Sequence, residues 1–114
     1  MRTRVRQDQL NPAYRHGTVV SSATPAINTD SVDSFDITAL NEDITSMSSG
    51  LTGTPVINQV LHLVITGTAA RAIAWGLSFE GDLPITTVLT ERLDIMLVWN
   101  IATSKWRCLT WKSG

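Results

Sequence analysis

The sequence has very few residues of the kinds on which covalent cross-links, thiolate metal sites and membrane spans depend. Cys108 is the single cysteine, which excludes an internal disulfide and a cysteine zinc site. No apolar run approaches the roughly 18 residues of a membrane-spanning helix. The first ten residues, MRTRVRQDQL, also lack the apolar stretch of a secretory signal. We therefore expect a chain whose stability comes from packing and which has no membrane partner.

Charge is also scarce and almost balanced. Charged residues make up 17% of the chain, and the formal net charge is -1. Such a chain has no global positive field to attract nucleic acid, so no direct nucleic-acid partner is predicted. The 114 residues, 43% of them apolar, fit one compact domain. A domain of this size buries about two-thirds of the surface that its unfolded chain exposes.

The charges that are present are unevenly placed. Four of the nine basic residues fall within the first fifteen positions, and five of the ten acids lie between positions 30 and 43. Residues 1–16 also contain Pro12 and few apolar side chains, which predicts an extended N-terminal arm ahead of a domain at 17–114. Opposite patches of this kind can set the register between subunits, although a solvated surface accounts for them equally well.

Two parts of the chain alternate between apolar and other residues with a period of two. In LHLVIT (61–66) the alternation and the β-branched residues predict a strand, and RAIAW (71–75) resumes the alternation after a short turn at 67–70. These two runs predict a hairpin. Residues 93–100 and WRCLTW (106–111), separated by a turn at 101–105, predict a second hairpin. Because neither side of its return strand is purely polar, cover on both faces is expected.

The rest of the chain repeats this pattern more weakly. Short segments rich in Thr, Val and Ile alternate with Pro, Gly, Asn, Asp and Ser: GTVVSSA (17–23), SFDITAL (34–40), DITSM (43–47) and PITTVL (84–89). No window of 11 residues has a convincing helical period. About seven or eight strands at spacings of roughly 8 to 12 residues predict an all-β fold, an antiparallel β-sandwich resembling a jelly roll.

Few residues have a pattern that points to chemistry. His62 lies inside a strong strand with no second histidine at metal-ligand spacing, so a structural or surface role is favoured over a ligand or base. Asp30, Asp33 and Asp36 faintly resemble a calcium loop but lack its turn glycine and terminal glutamate. Neither a nucleophile elbow nor a phosphate loop is present. We predict no metal and no cofactor.

Two further candidates for chemistry have simpler explanations. Glu80 and Asp82 have the spacing of a carboxylate pair for glycoside hydrolysis, but Gly81 and Pro84 predict a loop with solvated acids. Cys108 is expected to be buried and inert in the last strand, because burial in apolar surroundings raises a thiol's pKa. The protein is therefore not predicted to be an enzyme.

The tryptophans are more informative. Trp75, Trp99 and Trp106 fall on or beside the predicted hairpins and are expected to anchor the core. For Trp111, close to the last residue, a place in the core and a subunit contact are both left open, and stacking on a sugar is the weaker alternative. Met96, Trp99 and Trp111 are the predicted subunit contacts.

The predicted arm also has two interpretations. Arg2, Arg4 and Arg6 alternate, so an extended chain presents them on one side to an acidic protein surface or a phosphate backbone. A solubility leader is the alternative. Leu10, Pro12 and Tyr14 favour docking, and Arg2, Arg4, Arg6 and Tyr14 are the predicted docking residues.

The series from YRHGTVVSSATPAINTD to SKWRCLTW resembles a small domain that recurs in virion structural and tail-fibre proteins of tailed bacteriophages. The resemblance covers about residues 14–111. Its most specific parts are T-A-x-R-x-I-x-W-G (68–76), L-P-x-T-T-V (83–88) and N-x-x-x-S-K-W (100–106). Where a more typical version has a Gly and a Lys after the TGTP segment, this sequence has Val56 to Gln59, so that loop is expected to differ.

The resemblance implies a β-sandwich that assembles, often as a trimer, on the virion surface, and it supplies no catalytic residues. The predicted function is a self-associating virion structural protein that decorates the particle as a head decoration, a head fibre or a tail-fibre component. Its predicted partners are copies of itself and the major capsid or tail proteins. Two alternatives remain: a module that binds host receptors or glycans through Trp111 and the acidic loop, and a polysaccharide-degrading enzyme using Glu80 and Asp82.

Overall fold

The computed structural model describes residues 15–114, which form an all-β fold. Its strands are β1 (His16–Val19), β2 (Ile27–Asn28), β3 (Ser34–Leu40), β4 (Leu51–Thr52), β5 (Val60–Gly67), β6 (Phe79–Gly81), β7 (Arg92–Asn100) and β8 (Lys105–Ser113). The all-β prediction is confirmed. Within these residues, no helix has the length and apolarity to cross a bilayer.

Six of the strands form one mixed sheet. Their order is β1-β3-β5-β7-β8-β6, and β2 and β4 make a separate two-stranded sheet. β1, β3 and β5 pair in parallel, as do β6 and β8, whereas β7 is antiparallel to both β5 and β8. An antiparallel sandwich has no such parallel pairings, so a sandwich or jelly roll is not confirmed.

The parallel pairings follow from the path of the chain, which coils. After β1 the chain reaches β2, returns to the main sheet as β3, reaches β4, and returns again as β5. Successive turns stack on each other at β1/β3/β5, at β2/β4 and at the bridge between Ile44 and Ile73. Each turn therefore contacts mainly its neighbours, which is the arrangement of a short β-solenoid closed by the β7–β8 hairpin.

The first predicted hairpin is wrong and the second is confirmed. The main-sheet partners of β5 are β3 and β7, while Ile73 forms a parallel bridge to Ile44 and Ala72 an antiparallel bridge to Thr86. Period-two alternation indicates which side chains are buried, but it does not specify the partner strand. Here the partner strand is determined by the coiled path of the chain. At the C-terminus, β7 and β8 pair around a turn at 101–104, as expected.

The core lies beneath one face of the main sheet. On β5 and β7 the facing pairs Leu61–Leu97, Leu63–Ile95 and Ile65–Leu93 are all essentially inaccessible to solvent. Complete burial of a side chain of this size contributes about 1.5–3 kcal/mol. The alternation read from the sequence therefore identified the buried face of these strands correctly.

Two of the three tryptophans predicted for the core are fully packed there. Trp75 and Trp106 are buried, and the indole Nε1–H of Trp75 donates to the Pro84 carbonyl over 2.6 Å. Trp99 is half-buried and packs against the core, edge to face with Trp106 at a ring separation of 5.5 Å. Trp99 therefore forms part of the core's margin.

A bulge changes the orientation of the last residues of β8. The register passes from Leu97 opposite Cys108 to Met96 opposite Thr110, leaving Leu109 as the extra residue. Such a bulge inverts the alternation beyond it, so Trp111 is opposite the core residue Ile95 rather than on the outward side predicted from simple alternation. Residues 15–114 do not themselves supply the expected cover on both faces, because Leu109 is 61% and Trp111 41% exposed.

Candidate functional site

The three predicted subunit contacts do not form one surface. Met96 is paired with His62 and Thr110 on the outer face of the sheet, the face away from the core. Trp99, paired with Trp106, lies near the end of β7, and Trp111, paired with Ile95, lies beside its middle; both are on the core side. A single planar contact can therefore use Met96, or either tryptophan, but not all three.

The C-terminal half of β8 is an edge of the main sheet. β6 pairs only with Trp106, Arg107 and Cys108. Among residues 15–114, the segment Leu109–Ser113 consequently has one partner strand, β7. We call this segment the open edge. It combines unpaired backbone groups and the exposed apolar side chains of Leu109 and Trp111, which favour addition of another strand, with Lys112 and the bulge, which restrict pairing to a partner that complements them.

Charges of opposite sign lie toward the two sides of the main sheet. Lys112 in the open edge and Arg107 just before it are both exposed on β8. Among residues 15–114, the acids Asp30, Asp33 and Asp36 lie on the side of β1 and β3, where Arg15 pairs with Asp33. The acids at positions 30–36 thus lie on the side of the sheet away from β8. The two sides of one copy therefore carry charges that complement those of a second copy.

Asp33 anchors the end of the predicted arm. The Arg15 guanidinium donates to both carboxylate oxygens of Asp33, and its backbone N–H donates to Oδ2 over 2.8 Å. The hydrogen bonds from Arg15 lower the pKa of the Asp33 carboxyl. Arg15 and His16, the last residues of the predicted arm, therefore belong to the folded part of the chain. The predicted docking residues Arg2, Arg4, Arg6 and Tyr14 lie outside the described residues.

The three aspartates of the weak calcium pattern have separate partners. Asp33 binds Arg15, Asp30 Oδ1 accepts the Thr54 N–H over 2.9 Å, and Asp36 lies 3.7 Å from His16. In the part of the chain that the structure describes, no group of three or more His, Cys, Asp or Glu side chains is arranged to hold a metal.

His62 belongs to a polar cluster on the outer face. Its Nε2 is 2.9 Å from Asp94 Oδ1, and the Arg92 guanidinium donates to both oxygens of Asp94 at 3.0–3.1 Å. These contacts lower the pKa of the Asp94 carboxyl, with the hydrogen bond from Arg92 as the largest cause. The arrangement accounts for His62 as one member of a hydrogen-bonded surface cluster.

Acid is expected to weaken the fold partly through Asp94. Because its folded pKa is depressed, its stabilising contribution is complete above the ordinary aspartate value of about 3.9 and is lost as pH falls through the folded pKa. Thermal unfolding followed between about pH 5 and pH 2 should show a shallower decline for Asp94→Asn than for the wild type, by about 0.2–1 kcal/mol. Asp82→Asn, in an exposed loop, is the control, and a wild-type slope for Asp94→Asn would contradict the assignment.

Arg71, within the conspicuous run at 60–76, serves the local turn. Its backbone N–H donates to Thr87 Oγ1 over 2.9 Å, and its Nη2 donates to Thr68 Oγ1 over 3.2 Å. Its Nε is buried without a hydrogen-bond partner among the described residues. No carboxylate among these residues is within salt-bridge distance of Arg71, so it has no arrangement typical of a catalytic arginine.

The proposed carboxylate pair also has a structural explanation. Glu80 lies on β6, where Asn100 Nδ2 donates to its Oε2 over 2.8 Å, and this bond lowers the pKa of Glu80. A general acid needs the opposite shift. Glu80 therefore links β6 to the end of β7, while Asp82 is in the exposed loop that follows.

Cys108 is buried, as expected, and burial is the main cause that raises its thiol pKa. A thiol with a raised pKa is a poor nucleophile at neutral pH.

Two concave regions were not found by reading the sequence. A cleft of about 310 Å³ on the outer face is lined by Asp33, Gln59, Val60, His62 and Met96. A cavity of about 170 Å³ lies where the loop after β4 meets the β7–β8 turn, and both Trp99 and Trp106 line it. The lining residues are distant in sequence, so no local motif identifies them.

Comparison with family models, with curated proteins and with solved structures gives no match for this chain. The functional hypothesis consequently depends on the surfaces described above and on the sequence resemblance.

Proposed function

We propose that this chain is a virion structural protein of a tailed bacteriophage, a self-associating domain that decorates the particle surface. The observation that carries the proposal is the open edge, Leu109–Ser113, with its exposed Leu109 and Trp111. An apolar strand edge left in water is a site of association with another chain. A structural subunit that occurs in many copies on a particle supplies that partner.

The charge distribution supports a second copy as the partner. Lys112 lies in the open edge and Arg107 just before it, whereas Asp30, Asp33 and Asp36 lie toward the other side of the sheet. If the basic side of one copy contacts the acidic side of the next, the contact uses two different surfaces of the same chain. Such a heterologous contact closes into a ring when the rotation permits, and a trimer is the smallest ring with this geometry.

The coiled architecture also supports a mechanical role. Parallel turns stacked through β1, β3 and β5 leave Thr18 and Thr38 exposed and Asp36 half-buried on their outward side. The predicted arm, residues 1–16 with Arg2, Arg4, Arg6 and Tyr14, is assigned to docking on a capsid or tail protein. In this proposal the chain contributes binding surfaces and no catalysis.

The proposal predicts that a charge on the open edge prevents incorporation into particles. Leu109→Lys introduces a lysine at the exposed bulge, and edge lysines oppose the pairing of strands from different chains. Particles assembled with the variant should contain at least about tenfold less of the chain than wild-type particles, which corresponds to about 1.4 kcal/mol of contact energy. The amount is measured by quantitative gel analysis of purified particles.

Leu77→Lys provides the matched control. Leu77 is 85% exposed in the loop before β6, a strand that pairs with Trp106–Cys108 of β8 and not with the open edge. Its variant should be incorporated at the wild-type level. A reconstruction of the wild-type particle should show the chain on the head or tail surface, and its absence from purified particles would disprove the proposed function.

A further inference from the structure

The cavity beside Trp99 has the features of a small-molecule site. The loop after β4 contributes one wall through Thr52, Gly53 and Pro55, and the β7–β8 hairpin contributes the other through Trp99, Ser104 and Trp106. Thr29, Leu51 and Ser78 complete the lining. The site is thus assembled from four separate parts of the chain.

The wall formed by the loop after β4 is held in place by hydrogen bonds. The N–H and the hydroxyl of Thr29 both donate to the Thr52 carbonyl, over 2.9 and 3.1 Å. The Gln59 amide donates to the Thr29 carbonyl over 2.9 Å. Gly53 has a φ of +111°, and a Cβ there would lie 2.3 Å from Thr29 Oγ1, so only glycine allows this approach. The cavity is therefore preformed, which reduces the entropic cost of binding.

The size of the cavity suits one six-membered ring. Its volume is about 170 Å³. An apolar cavity of about 150 Å³ in a protein accommodates benzene. A single pyranose ring is thus of the right scale, whereas a folded peptide segment or a nucleotide is too large.

The aromatic walls favour a ligand with a flat apolar face. The rings of Trp99 and Trp106 meet at 63°, which forms a corner, and Trp99 is the more accessible of the two. The face of an indole carries negative quadrupole density and attracts C–H groups with a partial positive charge. One face of a pyranose presents a patch of such C–H groups, while its hydroxyls project around the ring.

Three side-chain hydroxyls with no protein partner among the described residues line the cavity. Thr52 and Ser104 are exposed and Ser78 is half-buried, and within residues 15–114 none of their hydroxyls forms a hydrogen bond to another protein group. They are available both as donors and as acceptors. Ser104 is held at a φ of +56° by the hairpin turn, where its N–H donates to the Asn100 carbonyl over 2.8 Å.

The lining contains no charged side chain, which favours a neutral ligand. The cleft on the outer face differs in this respect, because Asp33 and His62 line it.

We propose that this cavity binds a single neutral hexopyranose unit, with Trp99 against the face of the ring and Thr52, Ser78 and Ser104 bonding its hydroxyls. The proposal assigns a carbohydrate site to Trp99 in place of Trp111, on which the sequence focused. It does not depend on the proposed virion function, since a monomeric chain that never enters a particle would retain the cavity.

The indole N–H signals test the proposal directly, because the chain has four tryptophans. The ¹⁵N-labelled protein is titrated with methyl α-D-glucopyranoside, methyl α-D-galactopyranoside, methyl α-D-mannopyranoside and N-acetyl-D-glucosamine. Trp99→Phe and Trp111→Phe assign the relevant signals. At least one sugar should shift the Trp99 signal saturably, with a Kd on the order of 1 mM, while the Trp111 signal stays fixed.

Two conservative variants separate binding from folding. Ser104→Gly removes a hydroxyl at a backbone conformation that glycine adopts readily, and Thr52→Val removes one from an exposed side chain with little change of volume. Each should raise the Kd about fivefold while leaving the unfolding midpoint near the wild-type value. Trp111→Phe should leave the Kd unchanged.

The proposal is overturned by any of three results: no saturable shift of the Trp99 signal with the four sugars, shifts confined to Trp111, or wild-type affinity in both hydroxyl variants. A glycan array then distinguishes the source of the sugar. If the ligand is a surface polysaccharide, immobilised glycans that end in the sugar should bind. If the ligand is a soluble sugar, only the free glycosides should bind, and both patterns support the site.

Discussion

Replacing Trp106 with alanine is expected to lower the free energy of unfolding by about 3–5 kcal/mol. Trp106 is 1% exposed, packs edge to face against Trp99 and pairs with Phe79 of β6. Its removal leaves a cavity where the hairpin, β6 and the core meet, because the neighbouring strands cannot collapse into a space of that size. Urea unfolding followed by far-ultraviolet circular dichroism measures the loss.

Trp111→Ala is the matched control for this prediction. Trp111 is 41% exposed at the open edge, so the same chemical change should cost less than about 1 kcal/mol. Equal losses for the two variants would contradict the division of the tryptophans into core and edge. The denaturant slope should remain similar in both, since a changed slope indicates a changed unfolded state or loss of two-state behaviour.

Replacing Gly50 with alanine is expected to destabilise the fold by about 1–3 kcal/mol, although the site is not in the core. A Cβ at Gly50 would lie 2.2 Å from the carbonyl oxygen of Pro25, which is backbone and cannot rotate away. Gly50 also accepts a hydrogen bond from the Ile27 N–H over 3.0 Å. The added methyl group must therefore push one turn of the coil away from the next.

The Gly50→Ala variant tests the stacking of successive turns separately from backbone strain. Gly50 does not have a left-handed φ, so alanine can adopt its conformation, and the close approach is the only cause of the loss. Ser49→Ala, one residue earlier and exposed, should change stability by no more than about 0.5 kcal/mol. A neutral Gly50→Ala would mean that β2 and β4 do not stack as described.

The sequence predicted the long strands well because their burial alternates. The predicted strand LHLVIT lies within β5, which extends from Val60 to Gly67, and the C-terminal hairpin has the predicted strands and turn. The strand predicted at 43–47 is reduced to a bridge at Ile44, and β2 and β4 have two residues each. Segments this short carry too few alternating positions to be recognised, and their pairing depends on the stacking of turns.

The candidate site was predicted by residue type and not by geometry. Trp111 was identified as a candidate contact residue by its residue type, and it is exposed. The bulge at Leu109 turns Trp111 to the core side, and nothing in the sequence LTW indicates that bulge. The open edge exists because β6 is only three residues long, a property of the coil that no local pattern encodes. The Trp99 cavity was missed for the same reason, since its walls meet only after folding.

The mass of the purified chain as a function of concentration tests the central claim most directly. Sedimentation equilibrium should show association as the concentration rises, toward three times the chain mass of 12.5 kDa. Higher salt should weaken it, because part of the contact is electrostatic. A single species of 12.5 kDa at every concentration and salt level would contradict self-association through the open edge.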